Sequence, residues 1–497
     1  MDNIHNRMKP MRFAAALLGF ALVFALSSCQ TGPAAQNTGG DNAQAGAEAE
    51  NPGEGKEAGD GLFYDKVPEL DFGGYDCRVL VGTYNRPNQN LFPEEEIGEI
   101  LNDTIYAHNK KIESRFNIKF NANTINLFDL LGTLRNDVKA GIDAYDMYMQ
   151  IDREAYTAAS EGLLYPVDKM PYVDLGQPYW CQLPNRQLSV GGRLYWGFSD
   201  EMLSFFEYTM AMYFNKKQAG DFALGDLYEL VRAGNWTLDR FFEYSKSARR
   251  DMDGDGKMTE ADNWSVSSSV DMLPQSFVIG GGVYLVDKDD GDMPYFSIPG
   301  NQRFFDMASE LLAEFSIDGA FYGRNKAWDS ADDVLLFRNG HSLFKVGPIQ
   351  EMVQLRDMPD DFGVIPFPKY TSDQPRYYTR VIGGFPFVAP TVTKHPEIIG
   401  AVMEAAACGA RNKIIPAYYE SSLQIKYSRD TDTAEMLDLI FDTRVYDLGD
   451  TIFMDIRIDY TNIFMSKKDT FASATEKKAQ TYESLIQKSI GKILELP

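Results

Sequence analysis

Basic residues and histidines are scarce in this chain, and their scarcity excludes several classes of function. Lysine and arginine total 48 against 72 aspartates and glutamates, so the formal net charge is −24. A protein this acidic repels nucleic acid and anionic lipid. The four histidines stand apart in the sequence, and the motifs GxSxG and HExxH do not occur. Nucleic-acid binding is therefore excluded, and nucleophilic or zinc-dependent hydrolysis lacks its usual residues.

Cysteine is rare as well. The chain contains Cys29, Cys77, Cys181 and Cys408 without any CxxC spacing, which indicates neither a zinc site nor a disulfide framework. Cys29 is set apart below, and the remaining three leave two alternatives open. Either two of them form one disulfide, or all three are buried thiols.

The apolar run near the start of the chain is too short to cross a membrane. It covers 14 residues, from Phe13 to Leu26, whereas a spanning helix needs ~20. Basic residues between positions 7 and 12 precede it, a pattern typical of a secretory signal peptide. The residues Leu26-Ser27-Ser28-Cys29 resemble a bacterial lipobox. This resemblance implies that residues 1–29 are an export signal and that lipid on Cys29 anchors the protein outside the membrane. The alternative is an ordinary signal peptide with an incidental cysteine.

Large apolar side chains are nearly missing from residues 30–61, which are rich in Gly, Ala, Asn, Gln, Glu and Pro. Such a segment cannot bury enough surface to offset the entropy of ordering, so the composition predicts a disordered tether. The folded part begins near residue 62. Its length exceeds the ~250–300 residues at which a single core stops growing, so two domains are expected.

The first folded segment alternates strands and helices. We predict strands at 75–81, 118–121 and 145–151, with helices at 99–116 and 127–140 between them. This alternation indicates βαβ units in a mainly parallel sheet, and hence an α/β fold. Further along the chain, the patterns predict a hairpin at 188–196, a strand at 381–388, an N-cap at Thr237 and helices at 225–233, 302–315, 396–408, 434–441 and 472–494.

Several segments in order resemble the extracellular solute-binding lipoproteins of carbohydrate ABC transporters in Gram-positive bacteria. Beyond Cys29, these segments are GDLYELVRAGNWTLDRF (225–241), DMDGDGKMTEAD (251–262), DDFGVIPFPKY (360–370), IIPAYYESSLQIKYSRD (414–430) and the stretch through 444–447. The resemblance implies a periplasmic-binding-protein-like fold of type II, in which two α/β lobes close over a sugar. It further implies a monomer that binds a carbohydrate, hands it to permease subunits and catalyses no reaction. We map lobe one to 62–172 plus 379–412 and lobe two to 173–378 plus 413–497.

An acidic loop within the predicted lobe two matches the ligand spacing of calcium loops. Oxygen ligands are expected at positions 1, 3 and 5 of twelve residues, with glycine at 6, a backbone carbonyl at 7 and a carboxylate at 12. The sequence places these residue types at Asp251, Asp253, Asp255, Gly256, Lys257 and Asp262, with Thr259 at position 9. We therefore predict a structural Ca²⁺; the alternative is a solvated acidic turn. The Gly-rich stretch 254–258 lacks the P-loop frame, so a nucleotide site is rejected.

Sugars are bound by aromatic rings stacked on their C–H faces and by polar side chains on their hydroxyls. Ligands of open α/β sheets lie beyond the carboxyl ends of the strands. Candidates from loops after strands are Tyr84, Asn85, Arg86, Asp152 and Arg153, with ordinary polar loops as the alternative. Candidate stacking residues are Trp180, Trp196, Trp264 and Trp328, each with core packing as the alternative, whereas Trp236 is assigned to helix packing. Candidates at close backbone approaches and at the return to lobe one are Gly282, Gly347, Tyr378, Arg380, Gly383, Gly384 and Phe385.

Two other functions share these features. An exported glycoside-active enzyme needs a pair of carboxylates across the scissile bond, but among 72 acidic residues a pair can always be nominated. A surface protein that senses or holds sugar without transport would have the same fold. The residues favour binding without turnover and leave the sugar undetermined.

Overall fold

The computed structural model describes residues 62–83, 91–324, 332–427 and 431–496. Several predictions lie outside these residues: the signal and lipobox with Cys29, the tether, and the candidates Tyr84, Asn85, Arg86 and Trp328. Among the residues that are described, no helix combines the length and apolarity needed to cross a bilayer.

The first sheet, sheet 1, is built as predicted from βαβ units. Its strands are β1 (Tyr75–Thr83), β2 (Ile118–Asn126), β3 (Met147–Met149) and β12 (Phe387–Val388), in the order β12-β3-β1-β2. β1 pairs in parallel with β2 and β3, and β12 returns antiparallel to β3. Residues 79–82 of β1 are buried without alternation, as expected for a parallel strand covered on both faces. Helices α1 (Ile100–Phe116), α2 (Leu127–Ala140), α3 (Asp152–Ser160) and α12 (Pro396–Gly409) accompany this sheet.

The second sheet, sheet 2, is mixed. Its strands are β4 (Met210–Asn215), β5 (Trp264–Ser269), β8 (Phe321–Arg324), β9 (Ser342–Pro348) and β10 (Phe362–Ile365), in the order β10-β4-β9-β5-β8. β5 runs parallel to β8 and β9, whereas β4 is antiparallel to β9 and β10. Because of these directions, the ends of β5, β8, β9 and β10 and the start of β4 meet at one edge. A small antiparallel pair joins β6 (Val286–Lys288) and β7 (Pro294–Phe296).

The remaining helices connect and cover the sheets. They are α4 (Gln182–Leu188), α5 (Leu203–Glu207), α6 (Lys216–Asp221), α7 (Leu227–Arg232), α8 (Leu238–Ala248), α9 (Leu273–Gly280), α10 (Gln302–Phe315), α11 (Asp332–Arg338), α13 (Ile415–Tyr427), α14 (Thr431–Asp442), α15 (Leu448–Thr451), α16 (Met454–Ser466) and α17 (Phe471–Leu494). Short 3₁₀ segments occur at Val167–Lys169 and Ile349–Leu355, and a π-helical segment at Ala410–Ile414 joins α12 to α13. Thr237 is the N-cap residue of α8, although its side chain makes no capping hydrogen bond.

Two sequence predictions of local structure are wrong in part. The strand predicted at 381–388 is divided into β11 (Thr379–Arg380) and β12, because Gly383 has a φ of 150° and interrupts the extended pairing. The hairpin predicted at 188–196 is reduced to one bridge between Val190 and Arg193, since residues 182–188 are helical. Gly191 and Gly192 form the turn with φ values of 57° and 75°, which glycine adopts without strain.

Three passes of the chain lie side by side between the sheets, and we call residues 208–210, 379–382 and 444–446 the hinge strands. β11 pairs in parallel with β13 (Arg444–Val445), and Thr209 forms an antiparallel bridge with Val381. The Val381 amide donates to the Val445 carbonyl (3.2 Å). The chain therefore moves from sheet 2 to sheet 1 through hydrogen-bonded strands rather than through a single connection.

Contacts cross the lobe boundaries drawn from the sequence. Tyr179 and Trp180, which we mapped to lobe two, donate hydrogen bonds to Glu404 of α12, and α13 packs against α1. Both segments are thus attached to the helices of sheet 1. The assignment of lobe limits stays a prediction.

Candidate functional site

The site is built where the carboxyl edge of sheet 1 meets residues that follow the hinge strands. β3 ends at Met149 and leads into α3, whose first residue is Asp152. β12 is antiparallel to β3, so the residues before it, 383–386, lie at the same edge. This is the edge of an α/β sheet at which ligands bind.

Asp152 is a buried charged group of this edge, with 5% of its surface exposed. One of its carboxylate oxygens accepts a hydrogen bond from the Tyr446 hydroxyl (2.7 Å), and the other accepts from the Arg153 amide (2.7 Å). Its own amide donates to the Gly384 carbonyl (3.1 Å). Burial raises the pKa of Asp152 to about 6, although the hydrogen bonds from Tyr446 and Arg153 act in the opposite direction. Among the residues that the structure describes, no cationic side chain is in direct contact with this carboxyl.

The glycine pair beside Asp152 allows the backbone to approach it. A Cβ atom on Gly383 would lie 3.1 Å from Asp152 Oδ2, and a Cβ on Gly384 would lie 2.6 Å from the ring of Phe198. Phe385 follows, with its amide bonded to Ser204 Oγ (2.9 Å) and its ring 5.8 Å from that of Tyr208. The predicted candidates Asp152, Gly383, Gly384 and Phe385 are thus brought together.

Contacts from α3 to the C-terminal helices close the site on the other side. Arg153 Nη1 lies 3.5 Å from Met454 Sδ at the start of α16. The ring of Tyr156 meets that of Phe453 edge-on at 5.8 Å. Arg153 is otherwise exposed, so its guanidinium remains accessible beside the buried carboxyl.

A cluster of rings stands behind Tyr446. Phe198 stacks on Phe205 (4.0 Å between centroids) and contacts the ring of Tyr446 (5.3 Å). The predicted candidate Trp196 belongs to this cluster, at 6.4 Å from Tyr446, but only 3% of its surface is exposed. Its role in the structure is to support the tyrosine that contacts Asp152.

Arg380, another predicted candidate, is enclosed completely. Its guanidinium forms a bidentate pair with Asp450 (2.7 and 2.8 Å) and donates to the Met272 carbonyl (2.9 Å). Arg457 lies 3.6 Å from the same carboxylate. With both Arg380 and Asp450 unexposed, this pair fastens the hinge strands to α9 and α15 and offers no surface to a ligand.

The other predicted candidates lie apart from Asp152. Trp180 is fully buried, and its indole N–H donates to Glu404 (2.9 Å). Trp264 is the first residue of β5. It therefore lies at the opposite end of this strand from the edge of sheet 2 at which β5 ends. Trp236 is buried, and its indole N–H donates a hydrogen bond to the Pro366 carbonyl (3.0 Å), as predicted for a packing residue.

The two remaining glycine candidates lie close to side chains other than Asp152. A Cβ on Gly347 would lie 2.1 Å from Glu351 Oε2 and 2.8 Å from Lys345 Nζ, so this glycine makes room for a buried ion pair. A Cβ on Gly282 would lie 3.2 Å from the ring of Tyr378, which also meets Tyr284 edge-on. Gly282 and Tyr378 therefore contact each other as a second pair of candidates.

Sequence reasoning did not single out several residues at this junction. Tyr446 was noted only as part of a family-like segment, and its contact spans 294 positions in sequence, which no local pattern reveals. Tyr208 lies at the start of a hinge strand, where its carbonyl accepts from the Ile382 amide. Asp447 accepts from the amides of Leu285 and Val286, and burial raises its pKa to about 7.

Glu201 lies just before α5. Its side chain is partly exposed, and desolvation raises the pKa of its carboxyl to about 8. Within the described part of the chain, its carboxylate has no hydrogen-bond or ion-pair partner. The side chain of Gln150, the residue after β3, is also buried. Neither Nε2 nor Oε1 of this side chain forms a hydrogen bond with a described residue. A hydrophilic run such as SDE at 199–201 carries no sign of burial, so no local pattern singles out Glu201.

The acidic loop adopts a compact turn whose carboxylates converge. Oxygens of Asp251, Asp253 and Asp255 all lie within 4.8 Å of one another. Asp251 accepts from the amides of Gly254 and Gly256 (both 2.7 Å). The amide of Asp255 lowers the pKa of Asp253, but desolvation and the neighbouring carboxylates raise it to a net value above normal. Three hard oxygen donors at this spacing fit Ca²⁺.

Two residues of the predicted calcium set act differently. Asp262 is not one of the three converging carboxylates; it is buried and accepts from the amides of Met252 (2.8 Å) and Thr259 (2.7 Å). The Thr259 hydroxyl donates to Asp262 (3.1 Å), and the Thr259 carbonyl accepts from the indole of Trp264 (2.7 Å). Asp262 therefore closes the loop, and Trp264, predicted to stack on sugar, fastens the loop to β5.

Comparisons with known proteins place this geometry in a family. The sequence matches the model of the family described as bacterial extracellular solute-binding protein over residues 109–403, more than half of the chain. No match was found among curated protein sequences.

Several solved structures of similar fold are sugar-binding proteins, some of them in complex with a sugar. A cyclo/maltodextrin-binding protein complexed with maltotetraose is 15% identical, with a TM-score of 0.55, and the alignment covers 85% of this chain and 97% of that one. An ABC substrate-binding protein from Listeria monocytogenes in complex with cycloalternan is 14% identical (TM-score 0.54; 84% and 99% covered). The sugar-binding protein MalE from Xanthomonas citri is 11% identical (TM-score 0.57; 85% and 100% covered).

At these identities the likeness shows a shared fold, the two-lobed α/β architecture of periplasmic binding proteins. The family match rests on the sequence itself and covers the segments that carry Asp152, the hinge strands 208–210 and 379–382, and Gly383. The chain therefore belongs to the bacterial extracellular solute-binding proteins.

Proposed function

We propose that this protein captures a carbohydrate, an oligosaccharide, between its two lobes and delivers it to the permease of an ABC transporter. The observation that carries the proposal is the contact of Asp152 with Tyr446 beside the glycine pair at the carboxyl edge of sheet 1. The similar structures bound to maltotetraose and cycloalternan support the substrate class. Membership of the extracellular solute-binding proteins supports transfer to a permease.

The chemistry of the contact suits a sugar. The bond between Asp152 and Tyr446 joins a carboxylate to a hydroxyl, and a sugar hydroxyl supplies the same kind of donor. A ligand therefore replaces Tyr446 on Asp152 without leaving a buried carboxyl unpaired. Arg153 is exposed beside it to donate to further sugar oxygens, and the rings of Tyr208 and Phe385 are adjacent.

Location and cofactor are part of the same proposal. The lipobox-like segment ending at Cys29 supports anchoring by lipid on the extracellular face, which keeps a high effective concentration of the receptor beside its permease. The loop 251–262 supports a structural Ca²⁺ held by Asp251, Asp253, Asp255 and the Lys257 carbonyl, with Asp262 and Thr259 shaping the loop. Bound there, calcium would neutralise the converging carboxylates and stiffen the turn between α8 and β5.

A thermal-shift and calorimetric titration with maltotriose, maltotetraose and cycloalternan tests the function. A sugar present at about 100 times its dissociation constant adds about 2.7 kcal/mol to the free energy of unfolding. Replacement of Asp152 by Asn should weaken binding by about tenfold or more, because one charge-assisted hydrogen bond is lost. Asp221→Asn is the matched control, since Asp221 is exposed on α6, where it pairs with Lys217.

The rival functions predict different results when the protein is incubated with the same oligosaccharides. New reducing ends after incubation with the oligosaccharides indicate an enzyme and contradict a binding protein. Stabilisation by peptides but by none of the sugars contradicts the substrate class. Sugar binding by a protein whose gene has no neighbouring permease genes favours a sensing role over transport.

A further inference from the structure

The outer edge of sheet 1 is a long strand that no other strand of the described chain covers. β2 is the last strand in the order β12-β3-β1-β2 and runs for nine residues, of which 121–124 are exposed. Proteins usually shorten or charge their edge strands, or place proline in them, because an open edge pairs with other chains. β2 contains no proline, and its only charged residue is Lys119. This edge is therefore open to another strand.

The hydrogen-bond pattern of β1 shows which backbone groups of β2 face outward. The Asp146 amide donates to the Arg78 carbonyl (2.9 Å), so the even-numbered residues of β1 bond toward β3 and the odd-numbered ones toward β2. Cys77 lies opposite Phe120 in the parallel register. In such a ladder, Cys77 bonds to the residues on either side of Phe120, which are odd-numbered. The backbone groups of the even-numbered residues of β2 therefore point away from the sheet.

Two of these outward amides are free. The Phe120 amide donates to the Glu113 side chain (2.9 Å). The amides of Ala122 and Thr124 donate to no other described residue outside the strand pairing with β1, and their direction takes them out of that pairing. The centre of β2 thus offers two amides, with the carbonyls beside them, to an additional strand.

The sequence of β2 fits a second copy of the same strand. Around Ala122 it is nearly symmetric, with Asn121 and Asn123 on either side and Phe120 and Thr124 beyond them. In an antiparallel pair centred on Ala122, Asn121 faces Asn123 of the other copy, and amide side chains both donate and accept. Phe120 faces Thr124 of the other copy, and aromatic side chains opposite β-branched ones stabilise antiparallel sheets. The strand is therefore complementary to itself.

Charge also favours a second copy at this edge over other occupants. Each copy has a net charge of −24, so two copies repel each other over most of their surface. β2 contains no acidic residue, and the repulsion is least there. The acidic neighbours Asp76 and Glu113 each accept a hydrogen bond from the strand, Asp76 from the Asn121 side chain (3.1 Å). A basic partner would find no carboxylate on β2 itself.

We propose that two copies of this protein associate by pairing their β2 strands antiparallel about a twofold axis at Ala122, so that their first sheets become continuous. Two-fold pairing is the commonest association of identical chains. The two Ala122 residues exchange both backbone hydrogen bonds, and each Thr124 amide donates to the Phe120 carbonyl of the other copy. β1 lies between β2 and β3, the strand that leads to Asp152. The pairing therefore leaves the proposed sugar site open.

A contact made of one pair of strands is small against the ~1,200–2,000 Å² that stable interfaces bury. The dimer is therefore weak and exists in a concentration-dependent equilibrium with the monomer that the family resemblance implies. Sedimentation velocity over a series of protein concentrations measures this equilibrium. Ala122→Glu should weaken the association by about tenfold or more, because two carboxylates would face each other across the strands. Ala472→Glu is the matched control, since Ala472 is an exposed alanine on α17, and it should associate like the wild type.

Cross-linking tests the position of the twofold axis. Directly opposite residues of an antiparallel pair have Cα atoms only ~5.5 Å apart, so a short bismaleimide should join two chains that carry Ala122→Cys. Ala472→Cys is the control and should give little covalent dimer. Both chains also carry Cys29→Ser, and the other three cysteines are buried thiols. Circular dichroism confirms beforehand that every variant is folded.

Three results would overturn the proposal. A wild type that stays monomeric at every concentration leaves the edge to a different chain or to none. Association that Ala122→Glu does not weaken, or equal cross-linking of Ala122→Cys and Ala472→Cys, shows that the copies meet at another surface. Ala122→Glu should bind sugar like the wild type, so the sugar site and the β2 pairing can each fail alone.

Discussion

Asp152 and Asp450 are both buried aspartates near the junction of the two sheets, and they are held in opposite ways. Asp450 is paired bidentately with Arg380 and is close to Arg457. Asp152 is bonded to one hydroxyl and to a backbone amide. A buried ion pair is costly to break because it leaves a charge without compensation, whereas a hydroxyl is exchanged for another hydroxyl at little cost. The comparison teaches that the Arg380–Asp450 pair fastens the hinge strands permanently, whereas the proposed sugar site requires the contact between Asp152 and Tyr446 to be replaced.

Replacing Arg380 by Met tests the permanent half of this comparison and should have the largest effect. The change leaves Asp450 buried with only the more distant Arg457, so we expect a loss of about 3–5 kcal/mol in the free energy of unfolding. Urea denaturation measures it. Arg240→Met, which removes an exposed pair, should cost no more than about 1 kcal/mol; a similar loss in both variants would contradict the assigned role.

Replacing Asp152 by Asn tests the exchangeable half through pH. The folded pKa of about 6 lies above the ordinary value of 3.8, so the folded state binds the proton more tightly and the Asp152 carboxyl lowers stability as pH rises through this window. The Asn variant should therefore gain about 2 kcal/mol relative to wild type between pH 4 and pH 7, while it binds sugar more weakly. Unfolding curves of both proteins at each pH give the difference in their free energies of unfolding. Asp447 is present in both proteins, so its contribution cancels in this difference. A difference independent of pH would show that Asp152 ionises normally.

Replacing Gly383 by Ala probes the close approach to Asp152. Its φ of 150° and the 3.1 Å distance from a Cβ to Asp152 Oδ2 predict a loss of about 1–3 kcal/mol in unfolding free energy and weaker sugar binding. Gly132→Ala in α2 is the matched control, because no atom lies within 4 Å of its Cβ position. If both variants have the same free energy of unfolding and the same sugar affinity, the close approach of Gly383 to Asp152 has no role in stability or binding.

The acidic loop extends the comparison to aspartates that form no ion pair with a described side chain. Free calcium at ten times its dissociation constant should raise the free energy of unfolding by about 1.4 kcal/mol. The double replacement Asp251→Asn and Asp253→Asn should abolish this gain, and magnesium should not reproduce it. Differential scanning calorimetry with calcium and with EGTA makes the measurement. An unchanged melting temperature would identify the loop as a solvated turn.

The regular elements were predictable because their patterns are local. The helices at 127–140 and 302–315 were predicted with the ends that the structure has, and the βαβ order led to the topology of sheet 1. The strand at 381–388 was wrong in the middle, because the pattern of apolar residues does not reveal that Gly383 turns the backbone toward Asp152.

The site was only partly predictable, since its contacts are remote in sequence. Asp152 and the Gly383-Gly384-Phe385 segment were predicted separately, and the fold brings them together at one edge; their role in binding stays a prediction. Tryptophans were poor guides: Trp180 is enclosed, and Trp264 fastens the acidic loop. Tyr446 acquires its significance from Asp152, which only the fold brings near.

The three paired hinge strands determine how the lobes can move. A single connection would let one lobe swivel freely, but neighbouring strands joined by hydrogen bonds resist rotation about their own axes and bend together about one line. Opening and closing then follow a single path. In the proposed cycle of capture and release, Tyr446 would therefore return to Asp152 without a search among orientations, and little rotational entropy would be lost at each closure.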